Sequence, residues 1–269
     1  VDRKFSRVGF LREDSPVSGE IPVVTLLGAE ASRLIVALQR LAADAPPFTL
    51  VGGLAVLARL ASVYPYRTTG DLDAVTRGHD RDDFLEVLKG PGIEPAPKGD
   101  RLLVGDVGVD IIPTGEIDFD GFENIPEKDA IFVLSHHWAM TTSRPLTIAD
   151  GTGATATCPT AIPPALVAMK LGSVQNRRSE RPEKVASDSR DLYFLLQQFD
   201  RDGSIAEAIR LGPAPLLPLI ASAAQRTLVD GAELLQRSLL VYSLATPQPP
   251  FADDLIFVGE RLIAGLQAA

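Results

Sequence analysis

Three things are scarce in this chain. It has one cysteine, Cys158, in 269 residues, which excludes an internal disulfide framework and any cysteine-rich zinc cluster. It has no uninterrupted apolar run as long as a membrane span. It also lacks a basic excess: the formal net charge is −9 and the sequence pI is near 4.9. Proteins that grip long nucleic acid through many phosphates carry a surplus of Lys and Arg, so extensive non-specific binding to DNA or RNA is disfavoured. Internal repeats and low-complexity tracts are absent as well. The stretch VDRKFSRVGFLRED mixes charges of both signs and lacks a signal-peptide core. Together with the lone cysteine, this sets the expectation of a cytoplasmic protein with no membrane partner.

What is present is ordinary in bulk: 45% hydrophobic and 23% charged residues, enough chain for one large domain or two modest ones. Residues 1–22 read as an extended arm broken by Pro16, Gly19 and Pro22. Helical spacing follows over Ala29–Ala43, a buried strand over Phe48–Val51, and a buried helix over Leu54–Val63. A turn at Tyr64-Pro65-Tyr66 leads to a strand over Asp71–Val75, then a capped helix over Asp80–Leu88 in which His79 helps the cap. Arg101–Val104 and Val107–Ile112, joined at Gly105-Asp106, predict a hairpin. Ile131–Trp138 and Leu146–Thr157 read as further strands around turns, Gly151-Thr152-Gly153 being one such turn. Pro163-Pro164 opens a helix through Lys170, and a second helix runs over about Val185–Phe199. The remainder is helical. The expectation is an α+β chain, with a mixed sheet flanked by helices in residues 1–160 and a helical region in 161–269 that closes a cleft.

The segment from Phe48 to Val75 concentrates the chemistry. A strand leads into Gly52-Gly53, whose missing side chains allow a close approach of backbone donors to phosphates at a helix N-terminus. Arg67-Thr68-Thr69-Gly70 then precedes Asp71 and Asp73, which share one face of a strand because side chains alternate. A third carboxylate, Asp110, lies in the β-branched run Gly108–Ile112, and a neighbouring strand brings it beside the pair. Carboxylates on a rigid strand next to a glycine turn suit magnesium-dependent phosphoryl or nucleotidyl transfer.

In this order the motifs resemble the nucleotidyltransferase superfamily, and more narrowly its AbiEii/MenT branch of toxins. The residues that carry the resemblance are Gly52 and Gly53, then Arg67, Thr69, Asp71 and Asp73. Downstream they are Lys170-Leu171, Arg177-Arg178 and Asp188-Ser189-Arg190-Asp191-Leu192. The match spans roughly residues 48–200; Ser187 stands where that branch often has a basic residue. The resemblance implies a nucleotidyltransferase-type fold and transfer of a nucleoside monophosphate from a nucleoside triphosphate to RNA, the 3′ end of tRNA being the expected acceptor. It also implies a cognate antitoxin as partner. Asp71, Asp73 and Asp110 would hold Mg2+, with Asp110 completing that set or taking the proton of the attacking hydroxyl. Lys170 would reach the triphosphate, and Gly52, Gly53, Arg67, Thr69, Asp188 and Asp191 would serve the nucleotide, the choice between Asp188 and Asp191 staying open. Two alternatives stand beside this reading: a small-molecule nucleotidyltransferase of the antibiotic-modifying kind, and a non-catalytic domain of the same fold that binds a nucleotide or a partner.

Blander explanations hold for the other features. Asp118 and Asp120 read as a solvated loop. Arg177, Arg178, Arg181 and Lys184 form a local basic patch able to meet a nucleotide or an RNA end, although the three arginines read first as a solvated loop. His136-His137-Trp138 reads as core or edge packing on a strand, and Cys158 as an inert apolar residue.

Overall fold

Phe48-Thr49-Leu50-Val51 is buried at every position, which is why it lacks the polar alternation of a half-exposed strand. It lies inside an eight-stranded mixed sheet. The computed structural model describes residues 20–61, 69–88, 90, 92–97, 101–115, 125–176, 181–242 and 249–268. Its strands are β1 (Val23–Leu26), β2 (Phe48–Val51), β3 (Asp71–Arg77), β4 (Ile93–Pro95), β5 (Arg101–Val104), β6 (Val107–Thr114), β7 (Arg144–Asp150) and β8 (Thr155–Thr160). They lie in the order β1-β7-β8-β2-β3-β6-β5-β4. β3 runs antiparallel to β2 and parallel to β6, and β5 and β6 form the hairpin expected across Gly105-Asp106. β1 and β4, short and on the two edges, fall in stretches where no strand is expected.

Helices flank the sheet. α1 (Ala29–Asp44) packs on β7 and β8, with further contacts to β3 and β6. α2 (Gly52–Leu60) leaves β2 without an intervening loop, and α3 (Arg81–Val87) is opened by an Asp80–Asp83 capping box. α4 (Glu127–Thr142) packs on β2, β3 and β6. It replaces the strand expected over Ile131–Trp138. Ile131, Leu134 and Trp138 are buried, and their spacing of three and then four is a helical stripe that the intervening Phe132 and Val133 disguise. The strand pair expected over Leu146–Thr157 is present as β7 and β8, turned at Gly151-Thr152-Gly153. Asp150 accepts hydrogen bonds there from the Thr152 hydroxyl and from the backbone amides of Thr152 and Ala154; the Thr152 hydroxyl, then the Ser32 side chain and the two amides, hold its carboxyl below the usual range.

The second half is helical: α5 (Pro163–Asn176), α6 (Pro182–Phe199), α7 (Ser204–Arg210), α8 (Leu216–Ala224), a π-helical turn (Gln225–Val229), α9 (Ala232–Tyr242) and α10 (Ala252–Gln267). α5 is the hub, touching α2, α4, α6, α7 and α8 and buried from Ala165 to Gly172. Its entrance is fixed by Arg59 of α2, which donates to the carbonyls of Thr160 and Ala161 at 3.0 Å each. The boundary expected at 160/161 falls between β8 and α5, and the buried apolar core continues across it from Leu26 to Leu266. Cys158 is buried, and desolvation pushes its thiol up to about 11. No helix among the described residues is long and apolar enough to cross a membrane. Residues 1–19 of the arm expected over 1–22, the turn at 64–66, Asp118 and Asp120 lie outside the described residues.

Candidate active site

The site grows from the β2–α2 junction. Gly52 has φ +65°, a left-handed conformation that L side chains rarely adopt. A Cβ there would stand 1.8 Å from Asp73 Oδ2. Asp73 therefore rests its carboxylate on the bare glycine backbone at the opening of α2. On β3 the alternation is as expected: Leu72 and Ala74 are buried, while Asp71 and Asp73 are half-buried on the other face. Thr69 donates to Asp71 Oδ1 at 3.1 Å. Across the parallel β3–β6 ladder Asp73 is the direct partner of Asp110, so register alone brings the third carboxylate beside the first two.

These acids meet a cation that does not belong to the expected set. Arg101 of β5 grips Asp110 with two hydrogen bonds, Nε to Oδ1 and Nη2 to Oδ2, both 2.6 Å, and its Nη2 also donates to Asp71 Oδ2 at 3.2 Å. In this state Asp110 is thus the partner of an arginine, with both of its oxygens engaged. Arg101 carries no motif. The signal that finds it is hairpin register: counting outward from Gly105-Asp106 pairs Arg101 with Asp110.

The facing wall is helical. Lys170 of α5 is buried, with Nζ 2.5 Å from Asp188 Oδ1 and 2.7 Å from Asp191 Oδ2 of α6. Both aspartates therefore hold the lysine, and Asp188 also lines the cleft. Lys184, one turn earlier on α6, lies 4.0 Å from Asp71 Oδ2. A cavity of about 230 Å³ separates the walls. Its polar lining includes Gly52, Gly53, Thr69, Asp71, Asp73, Asp110, Arg101, Lys170, Lys184 and Arg181, and its apolar lining includes Ile112, Leu166, Met169 and Phe132. Arg181 is exposed just before α6, as a solvated residue would be, and also lines the cleft, whereas Arg67, Arg177 and Arg178 lie outside the described residues.

His136 also lines the cleft, on a helix and not on a strand. Its ring lies 4.0 Å from that of Phe132, and Nδ1 is 2.6 Å from the Phe132 carbonyl. Burial lowers its pKa to about 4, so at neutral pH the ring is uncharged, Nδ1–H donates to the carbonyl and Nε2 is the acceptor. The placement of His136 and Phe132 in the cleft was hidden by the strand reading of this stretch.

Asp73 is the strained member of the set. Desolvation, then repulsion from Asp71 and Asp110, raises its pKa to about 6 against the attraction of Lys170 and Lys184. Carboxylates held this close favour an additional cation. The donors are hard oxygens of the type Mg2+ takes, and the bare Gly52 backbone leaves Asp73 in place to share an ion with Asp71. The residues fit such a metal. In the present arrangement no three His, Cys, Asp or Glu side chains among the described residues converge as a metal shell, Arg101 Nη2 being shared between Asp71 and Asp110. No family model matches the chain, and neither the curated proteins nor the solved structures contain a match to it.

Proposed function

We propose that the protein is a nucleotidyltransferase with a fold of that type, one that moves a nucleoside monophosphate from a nucleoside triphosphate to an acceptor hydroxyl. The observation that carries this reading is the register pairing of Asp73 with Asp110, beside Asp71 and above the Gly52-Gly53 helix opening, across one small cavity from Lys170. Asp71 and Asp73 would hold Mg2+, joined by Asp110 when it leaves Arg101. A bound Mg2+ neutralises charge on the phosphates and on the leaving pyrophosphate.

The chain's own residues supply the rest. The amides opening α2 at Gly52 and Gly53 face the phosphates with the favourable end of the helix field. Lys170, held in the facing wall by Asp188 and Asp191, would offer its ammonium to the triphosphate as a fixed point charge. Ile112, Met169 and Phe132 offer an apolar bed for a base, with Nε2 of His136 as the acceptor in the same wall. The acceptor oxygen attacks the α-phosphorus, the bond from that phosphorus to the β-phosphate oxygen breaks, and pyrophosphate departs. The hydroxyl proton passes to a cleft carboxylate, which we assign as Asp110. Most of the acceleration comes from positioning and charge stabilisation.

For the acceptor we propose RNA, with the tRNA 3′ end as the first candidate, in a toxin of the AbiEii/MenT type acting in the cytoplasm and restrained by a cognate antitoxin. Arg181 and Lys184 in the cleft lining favour a phosphate-bearing acceptor. The net charge of −9 restricts the grip to a short terminus. The test is incubation with each labelled nucleoside triphosphate, Mg2+ and total RNA, beside a panel of cationic antibiotics. RNA labelling that disappears with chelator and with Asp71→Ala supports the reading. Labelling of an antibiotic in its place reassigns the acceptor. No metal-dependent labelling of either, or labelling retained by Asp71→Ala, overturns it.

A further inference from the structure

Arg101 is a charged cleft residue that the proposed chemistry does not use, and its seat is built for it. The guanidinium reaches its acids by lying flat over β6 at Gly108, where an added Cβ would meet Nη1 at 3.1 Å, Cδ at 3.2 Å and Cζ at 3.3 Å. Gly108 is the ladder partner of Asp71, so the bare position leads the side chain to the gap between Asp71 and Asp110. The fork is bidentate on Asp110 through Nε and Nη2, and Nη2 also donates to Asp71. This is the geometry that guanidinium offers equally to carboxylates and to phosphates. The side chain is 37% exposed, so it is open to the cleft and able to turn.

The charges make two occupants compete. Asp71 and Asp110 share one guanidinium at present, with the Lys184 ammonium 4.0 Å from Asp71. A divalent cation on the same oxygens would sit against that guanidinium, and repulsion between them at contact distance is large. An incoming triphosphate adds negative charge in the same cavity. We infer that Arg101 is a displaceable internal counter-ion, holding Asp71 and Asp110 at rest and moving onto the triphosphate oxygens when the metal takes those carboxylates. The inference rests on the nucleotidyltransferase reading above and makes Arg101 a substrate-binding residue in the loaded state. No net charge has to enter water during the exchange, because each cation is handed directly to an anion.

The experiment measures binding without turnover. Mn2+ replaces Mg2+ and is followed by electron paramagnetic resonance on wild type, Arg101→Ala and Arg101→Lys, first alone and then with an α,β-methylene nucleoside triphosphate that cannot be cleaved. Without nucleotide, Arg101→Ala binds Mn2+ about tenfold more tightly than wild type, because its competitor is gone. With Mn2+ saturating, it binds the analogue about tenfold more weakly, and Arg101→Lys lies between the two in both readings. Circular dichroism confirms that the variants fold, and Arg101→Lys carries the test if the alanine variant does not. Equal or weaker Mn2+ binding by the variants overturns the counter-ion role, and unchanged affinity for the analogue overturns the transfer to phosphate. Failure of wild type and variants alike to bind Mn2+ overturns the metal reading itself, an outcome distinct from both.

Discussion

Asp73→Asn separates what the site costs in stability from what it does. In the folded protein the Asp73 carboxyl titrates at about 6 in place of 3.8. Between those values the native state holds a proton that the unfolded chain has released, so stability falls as pH rises through this window and the full loss is in place above about pH 6. A displacement of about two pH units corresponds to about 3 kcal/mol between the charge states, and opening of the carboxylate toward the cleft trims this to about 2–3 kcal/mol. Asparagine keeps the shape over Gly52 and removes the charge. In the presence of chelator, Asp73→Asn and wild type should therefore be about equally stable at pH 3.5, and the variant should be about 2–3 kcal/mol more stable at pH 8. Urea unfolding followed by circular dichroism across this range reads the difference from the midpoints. Saturating Mg2+ should then raise the midpoint of wild type and leave that of the variant in place, because ligand that binds only the native state stabilises it. A difference that stays flat with pH, or a variant less stable than wild type at pH 8, would refute the claim that the carboxylate set is held against repulsion.

Two further substitutions probe the neighbours of that carboxylate. Lys170→Met strands Asp188 and Asp191 in a buried setting; it should cost about 3–5 kcal/mol in urea unfolding, and most of the loss should return when both aspartates are also changed to asparagine. Gly52→Ala meets a left-handed backbone and the Asp73 carboxylate together. It should cost about 1–2 kcal/mol for the backbone and abolish Mn2+ binding measured by paramagnetic resonance, and retained binding would show that the Gly52–Asp73 contact is dispensable.

What could be read from the sequence and what could not divide along physical lines. The β2–α2–β3 unit is legible because a buried run, a glycine pair and a same-face acid pair are all local patterns. The β5–β6 hairpin is legible from its Gly105-Asp106 turn. α4 is not, because a helix that faces the sheet, α5 and α8 is apolar over much of its surface, and a short stretch of bulky residues fits either period. β1 and β4 are four and three residues long, too short for a period to show. At the site, Asp71, Asp73 and Gly52 follow from spacing and Asp110 from a guess at which strands adjoin. Arg101 is set by register alone, a non-local quantity that becomes readable only once the hairpin is accepted. The ties of Lys170 to Asp188 and Asp191 depend on how α5 and α6 pack, and no spacing rule specifies both contacts.

The cleft joins parts of the chain that are made at different times. The carboxylate wall is complete in sequence at Asp110, whereas the wall holding Lys170 needs Asp191, 81 residues later. At about 5–20 residues per second, translation separates the two by roughly 4–16 s. During that interval the emerging chain carries the acids without the buried lysine cluster that faces them. A protein made this way is inert until its helical half has emerged and packed, so on the proposed reading the power to modify RNA arrives only after the second wall of the cleft has been made and folded.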